Sequence, residues 1–187
     1  MRRLSMFNSV SLDGYFVDRH GNMQWAHHNS DDPEWAAFVQ GNASGGGTLM
    51  FGRVTYQMMA NHWTSPAAAL NDPVVARRMN ALSKIVFSRT LRDATWNNTT
   101  LLSGDPATEV ARLKRDDGDA MVILGSGRLV AQLAAQRLID EYQIVVVPIA
   151  LGGGRALFDG VVEALPLKLV SSRAFRNGNV VSTYHSA

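Results

Sequence analysis

Val122-Ile123-Leu124 is a short apolar run that stops at Gly125-Ser126-Gly127, after which Arg128 to Ala134 carries apolar residues at helical spacing. A strand, a tight glycine turn and a helix start in immediate succession point to an α/β chain. Such a turn aims free backbone N–H groups and the positive end of the helix dipole at one point, a geometry that suits a phosphate. A bare Gly-x-Gly also occurs at ordinary strand-to-helix turns, so these residues alone leave both readings open.

The rest of the chain repeats the alternation. Leu4 to Val10 reads as a first strand, running through Ser11-Leu12-Asp13-Gly14 into an irregular loop as far as Trp25. Ser30-Asp31-Asp32-Pro33-Glu34 is a capped helix start, with Trp35, Phe38 and Val39 as its buried stripe. Strands are expected at Thr48–Phe51, Lys84–Ser88, Ala120–Leu124 and Asp140–Val147. Helices are expected at Val54–Ala60, from Pro73 to about Leu82, from Pro106 to about Arg115, and from Arg128 to near Gln136. Asn61 to Asn71 reads as a loop. Leu167 to Arg176 and Val180 to His185 flank Asn177-Gly178-Asn179, a hairpin turn. Together these predict a three-layer α/β/α fold with a mostly parallel central sheet and a C-terminal antiparallel hairpin. At 187 residues the chain suits one domain, 1–187.

Composition excludes several chemistries. There is no cysteine, hence no disulfide, thiolate nucleophile or Cys-type zinc site. The net charge of +2 is scattered, which gives no footprint for nucleic acid. No apolar run approaches a membrane span, and a cytoplasmic protein is expected. His27-His28 are adjacent and cannot share a helix face, so no metal site is expected. Ser126 lacks the Gly-x-Ser-x-Gly elbow of serine hydrolases, no Gly-Lys-Ser/Thr loop is present, and Val130 stands where a Rossmann third glycine would fall.

Two further strand ends carry phosphate-compatible residues: Gly52-Arg53-Val54-Thr55 opens a helix and Ser88-Arg89-Thr90 closes a strand. In an open α/β sheet the carboxyl ends of parallel strands share one rim, where ligands bind. Three such clusters could hold a pyrophosphate and a further phosphate, with Arg53 and Arg89 as forks.

In this order, Ser11-Leu12-Asp13-Gly14-Tyr15, Phe51-Gly52-Arg53-Val54-Thr55-Tyr56, Lys84-Ile85-Val86-Phe87-Ser88-Arg89, Leu124-Gly125-Ser126-Gly127 and Pro148 to Gly154 resemble the dihydrofolate-reductase-like superfamily. Within it they resemble the branch containing the reductase domain of bacterial riboflavin biosynthesis. The resemblance spans nearly the whole chain. It implies a reductase of the dihydrofolate or 5-amino-6-(5-phosphoribosylamino)uracil type, taking hydride from NADPH to a small pteridine or aminopyrimidine-like heterocycle. Gly52, Arg53 and Thr55 would bind cofactor phosphates, Ser88 and Arg89 the 2′-phosphate, and Gly125, Ser126, Gly127 and Arg128 the pyrophosphate. It also implies a cis bond in the glycine turn, where Ser126 stands in place of the second glycine. Asp13 and Asp31 are the catalytic candidates, and Ser9, Asp13 and Trp25 the substrate contacts. Gln57 replaces the family's glutamate. A homodimer is expected, with the apolar strand Ile144-Val145-Val146-Val147 and the final hairpin offering an edge. The alternative is a nucleotide-binding or interaction protein of the same fold without turnover.

Overall fold

The computed structural model describes residues 1–27, 32–44 and 46–187. Its strands are β1 (Leu4–Ser11), β2 (Tyr15–Val17), β3 (Thr48–Gly52), β4 (Ser83–Phe87), β5 (Thr99–Leu102), β6 (Met121–Leu124), β7 (Glu141–Val147), β8 (Arg155–Ala156), β9 (Leu167–Ala174) and β10 (Val180–Ser186). Its helices are α1 (Pro33–Ser44), α2 (Arg53–Trp63), α3 (Pro66–Asn71), α4 (Pro73–Ala81), α5 (Pro106–Arg115) and α6 (Gly127–Ala135), with a 3-10 turn at Gln24–His27.

Eight strands form one sheet in the order β5-β4-β3-β6-β1-β7-β10-β9, and β2 pairs with β8 in a small second sheet. The first six strands of that order are mutually parallel; β10 runs antiparallel to both β7 and β9. The expected mostly parallel sheet with a C-terminal antiparallel hairpin is what the chain forms. Strands buried on both faces need apolar side chains on both, and Leu49, Met50 and Phe51 of β3 supply them. Met6 and Ile123 join Val110 of α5 and Leu129, Val130 and Leu133 of α6 in one core. On the opposite face Leu49, Phe51 and Val86 pack with Tyr56, Val75 and Met79 of α2 and α4.

Three local readings need correction. The segment read as a loop between residues 61 and 71 holds the end of α2 and all of α3, whose Ser65 side chain accepts the Ala68 N–H at 3.2 Å. Val39 is 37% exposed, so the stripe of α1 reduces to half-buried Trp35 and Phe38. The irregular stretch after β1 contains β2, tied to β8.

Candidate active site at the carboxyl rim

The carboxyl ends of β1, β3, β4, β6 and β7 open onto one rim, because these strands are parallel neighbours. Gly125 (φ 63°) and Ser126 (φ 56°) are both left-handed, and no peptide bond among the described residues is cis. The turn therefore reverses through two successive left-handed residues, in place of the cis bond the resemblance implies. For serine that conformation costs about 1–2 kcal/mol. Its side chain is employed in return: Ser126 Oγ accepts the Gly52 N–H at 3.0 Å, and the Ser126 N–H donates to Thr55 Oγ1 at 3.2 Å. The starts of α2 and α6 are thus stitched together. A Cβ on Gly125 would stand 2.9 Å from Thr55 Cγ2, and one on Gly127 would stand 2.5 Å from Phe16 Cδ1. Only glycine permits this close approach.

Side chains cap three other helix starts: Asp32 on α1, Ser65 on α3 and Asp105 on α5. The starts of α2, α4 and α6 have none, and of these α2 and α6 follow strands at the carboxyl rim. The first backbone bond of α6 runs from the Val130 N–H to the Ser126 carbonyl, 3.0 Å. The amides of Gly127, Arg128 and Leu129 precede it and have no intrahelical acceptor. Two uncapped helix starts facing one rim form an anion cradle.

Arg53, Arg89 and Arg128 flank it, and among the described residues none is in an ion pair. Arg53 donates to Gln57 Oε1 at 2.9 Å, so the glutamine orients the arginine along α2. Asp105 is held below the usual carboxylate range, first by the Thr108 N–H that it caps and least by the charge of Arg89. Ser88 Oγ accepts the N–H groups of Thr90 (3.1 Å) and Leu91 (2.9 Å), shaping the turn that carries Arg89. Arg128 lines a groove of 330 Å³ with Gln132, Arg155 and Asp159.

Asp13 sits at the same rim in another role. Its Oδ1 accepts from Ser11 Oγ (2.6 Å) and the Leu151 N–H (3.1 Å), and its Oδ2 accepts from the Gly152 N–H (2.7 Å). Led by the Ser11 hydroxyl, these donors bring its pKa to about 2. Asp13 is therefore ionised at neutral pH and has no proton to give. It ties the loop after β1 to the loop after β7, beside the Leu12 N–H to Ile149 carbonyl bond (2.7 Å) and the Arg19 to Gly152 carbonyl bond (2.7 Å). A folded-state pKa below the ordinary 3.8 means the tie is complete above pH 3.8 and lost as pH falls through about 2. Proteolysis of residues 12–22 is expected to stay slow down to pH 3 and to quicken at neutral pH in Asp13→Asn, which offers one acceptor oxygen where the native side chain offers two.

Asp31 lies outside the described residues. Its neighbour Asp32 caps α1, accepting from the Glu34 (2.9 Å) and Trp35 (3.3 Å) N–H groups, and also takes the Asn177 N–H of the final hairpin turn (3.1 Å). Trp25 is buried with Val145, Val147 and Phe175, and its indole N–H donates to the Asn22 carbonyl at 3.1 Å. Its ring is core, not an open stacking surface. Ser9 is half-buried on β1, opposite Val145 of β7.

On the sheet face under α1 and α2 lies a cleft of 450 Å³. Phe7, Leu49, Val122 and Leu124 belong to its strand floor; Val39 of α1 and Met59 and Trp63 of α2 belong to its walls. Leu124 immediately precedes the glycine turn, so cleft and cradle adjoin through one backbone step. None of these cleft residues is among the sequence candidates. Tyr56, Met59, Ala60 and Trp63 repeat at helical spacing, a signal obscured where Trp63 was expected in a loop. Among the described residues no group of three His, Cys, Asp or Glu side chains could hold a metal ion, and no helix is long and apolar enough to cross a membrane.

Comparison with known proteins agrees with the fold. The RibD C-terminal domain family matches residues 2–181. Bacillus subtilis YyaP, named an uncharacterized protein, is 26% identical over 184 residues, covering 98% of this chain and 95% of its own. Among solved structures, a Shewanella sp. PV-4 protein provisionally ascribed to riboflavin biosynthesis superposes with TM-score 0.74 at 24% identity, covering 99% of each chain. The Thermotoga maritima diaminohydroxyphosphoribosylaminopyrimidine deaminase/5-amino-6-(5-phosphoribosylamino)uracil reductase gives 0.70 at 14% identity, covering all of this chain and 57% of its own. At these identities the structures establish the shared fold.

Proposed function

Because the chain belongs to the RibD C-terminal domain family, we propose that it is an NADPH-dependent reductase of a small, flat heterocycle. The observation that carries the proposal is the pair of uncapped helix starts, α2 and α6, joined by Ser126 and flanked by three arginines that form no ion pair among the described residues. The residues fit the cofactor: glycine at 125 and 127 lets the turn pack against Thr55 and Phe16, and the amides of Gly127, Arg128 and Leu129 lack intrahelical acceptors. These amides and Thr55 would take the pyrophosphate, and Arg53 and Arg89 the 2′-phosphate. Bound NADPH supplies the hydride. The chain's own contribution is to position the ring in the apolar cleft beside Leu124 and to keep water from it. Asp13 acts as a positioning residue by fixing the loop after β1 at the carboxyl rim, and the proton that accompanies the hydride is assigned to solvent.

Titration with NADPH and NADH, read by energy transfer from tryptophan to nicotinamide, tests the reading. NADPH is expected to bind at least about tenfold more tightly, a difference of about 1.4 kcal/mol, and Arg89→Ala should erase the difference. Failure of both nucleotides to bind would remove the reductase reading. The locked, ionised Asp13 favours one alternative, a nucleotide-binding protein without turnover; NADPH consumption with any pteridine or pyrimidine would exclude it.

We further propose a homodimer through β9. This strand is an open edge of the eight-stranded sheet, and seven of its eight residues are exposed. Leu169 and Val170 are 55% and 52% exposed. An exposed edge of this length templates pairing with a second copy. Light scattering is expected to give a dimer for the native chain and a monomer for Leu169→Lys/Val170→Lys.

A further inference from the structure

We infer that the cleft is built for an unphosphorylated ligand, a planar uncharged ring whose tail ends in hydrogen-bond donors. The inference rests on the reductase reading only in treating the cleft as the seat of the reducible ring. Its apolar floor and walls match the faces of a flat heteroaromatic ring, and 450 Å³ falls within the ordinary range for a small-molecule pocket. The polar lining gathers at the amino ends of the strands, away from the anion cradle: Ser5, Asn42, Glu141 and Gln143.

No lysine or arginine is among the described lining residues, and the one ionisable side chain there is a carboxylate. Glu141 Oε2 is engaged by Arg3 at 3.4 Å and by His185 at 3.2 Å, neither of which lines the cleft. Its Oε1 has no partner among the described residues and is left as an acceptor. Asn42 and Gln143 are joined by a 2.8 Å bond from Nδ2 to Oε1, which spans from α1 to β7 and holds this polar end in place. A phosphate carried in here would gain no counter-charge from the lining and would face Glu141. A hydroxyl or amine donor would instead complete the free oxygen. The positive charge of the site belongs to the cradle, where Arg53, Arg89 and Arg128 stand. The cleft and the cradle therefore divide the ligands by charge.

Riboflavin and flavin mononucleotide make a matched pair of probes, differing only in the terminal phosphate. Each would be titrated into the native protein without nicotinamide and followed by the flavin's own fluorescence, with the emission of Trp63 as a second reading and Trp63→Phe as its control. Riboflavin is expected to bind at least about tenfold more tightly than flavin mononucleotide, and Glu141→Gln to narrow that ratio to about threefold or less. Equal or tighter binding of the phosphorylated flavin, an unchanged ratio in Glu141→Gln, or binding of neither flavin would overturn the inference. The NADPH titration on the same sample reports the cradle separately. Riboflavin preference without NADPH binding would leave this inference standing and remove the reductase reading; the reverse result would do the opposite.

Discussion

Lys84→Met is expected to lower the midpoint of thermal unfolding by roughly 6–12 °C, for a loss of about 3 kcal/mol. Lys84 is 1% exposed, and all three of its ammonium protons are used. It donates to the carbonyls of Asn80 (3.2 Å), Leu82 (2.7 Å) and Asn97 (3.0 Å), and its Nζ stands 4.4 Å from the centroid of the Trp96 ring. Trp96 is tied in turn to Asn80 Oδ1 (2.6 Å) and through its backbone N–H to the Tyr56 hydroxyl (2.9 Å). One buried cation thus gathers the end of α4, the start of β4 and the loop before β5. Methionine fills most of the volume but strips three carbonyls of their donor inside the protein. A drop below about 2 °C would show that those carbonyls find other partners. Burial also brings the Lys84 pKa from 10.5 down to about 8. A depressed lysine pKa penalises the folded state while the amine is protonated, so native stability should rise as pH climbs from about 8 towards 10.5. The methionine variant should lack that component of the slope.

Gly127→Ala should weaken NADPH binding by about tenfold to a hundredfold while leaving the fold intact. The added methyl meets Phe16 at 2.5 Å from Cδ1 and 2.8 Å from Cε1. Phe16 is 4% exposed and lies on β2, which is paired to β8, so it has little room to withdraw. Overpacking of this kind costs about 1–3 kcal/mol, and the start of α6 moves to relieve it, displacing the amides that would face the pyrophosphate. Phe16→Ala in the same chain opens the space again and should recover part of the affinity. If Gly127→Ala binds NADPH within about twofold of native, the cradle is not the nucleotide site.

The parts of the molecule that could be read in advance are those whose physics is local. Gly125-Ser126-Gly127 announces a strand-to-helix turn because only a few backbone conformations join those elements, and Asp105-Pro106 starts a helix as expected. The same logic applied to Ser65-Pro66 identifies α3, yet the surrounding polar residues masked it. β8 is two residues long and exists because Gly154 and the loop after β1 approach each other; nothing within Arg155-Ala156 signals it. Asp13 shows the limit most clearly. A turn residue before glycine reads equally as a ligand-binding carboxylate, and its role as a tie shows only once the amides of Leu151 and Gly152, far along the chain, are seen to donate to it. The cleft was equally hidden, since its lining is assembled from α1, α2, α4 and four strands with no shared motif.

The bonds from Leu12, Asp13 and Arg19 to residues 149–152, together with the β2–β8 pairing, make the segment after β1 a fixed part of the carboxyl rim. A rim that does not swing sets a kinetic signature. On the reductase reading, this loop contributes no closing step to turnover. The rate at saturating substrate should then be indifferent to added sucrose or glycerol, while kcat/KM falls with solvent viscosity only if encounter itself is limiting. Specificity in such an enzyme comes from the shape and charge already present before anything binds.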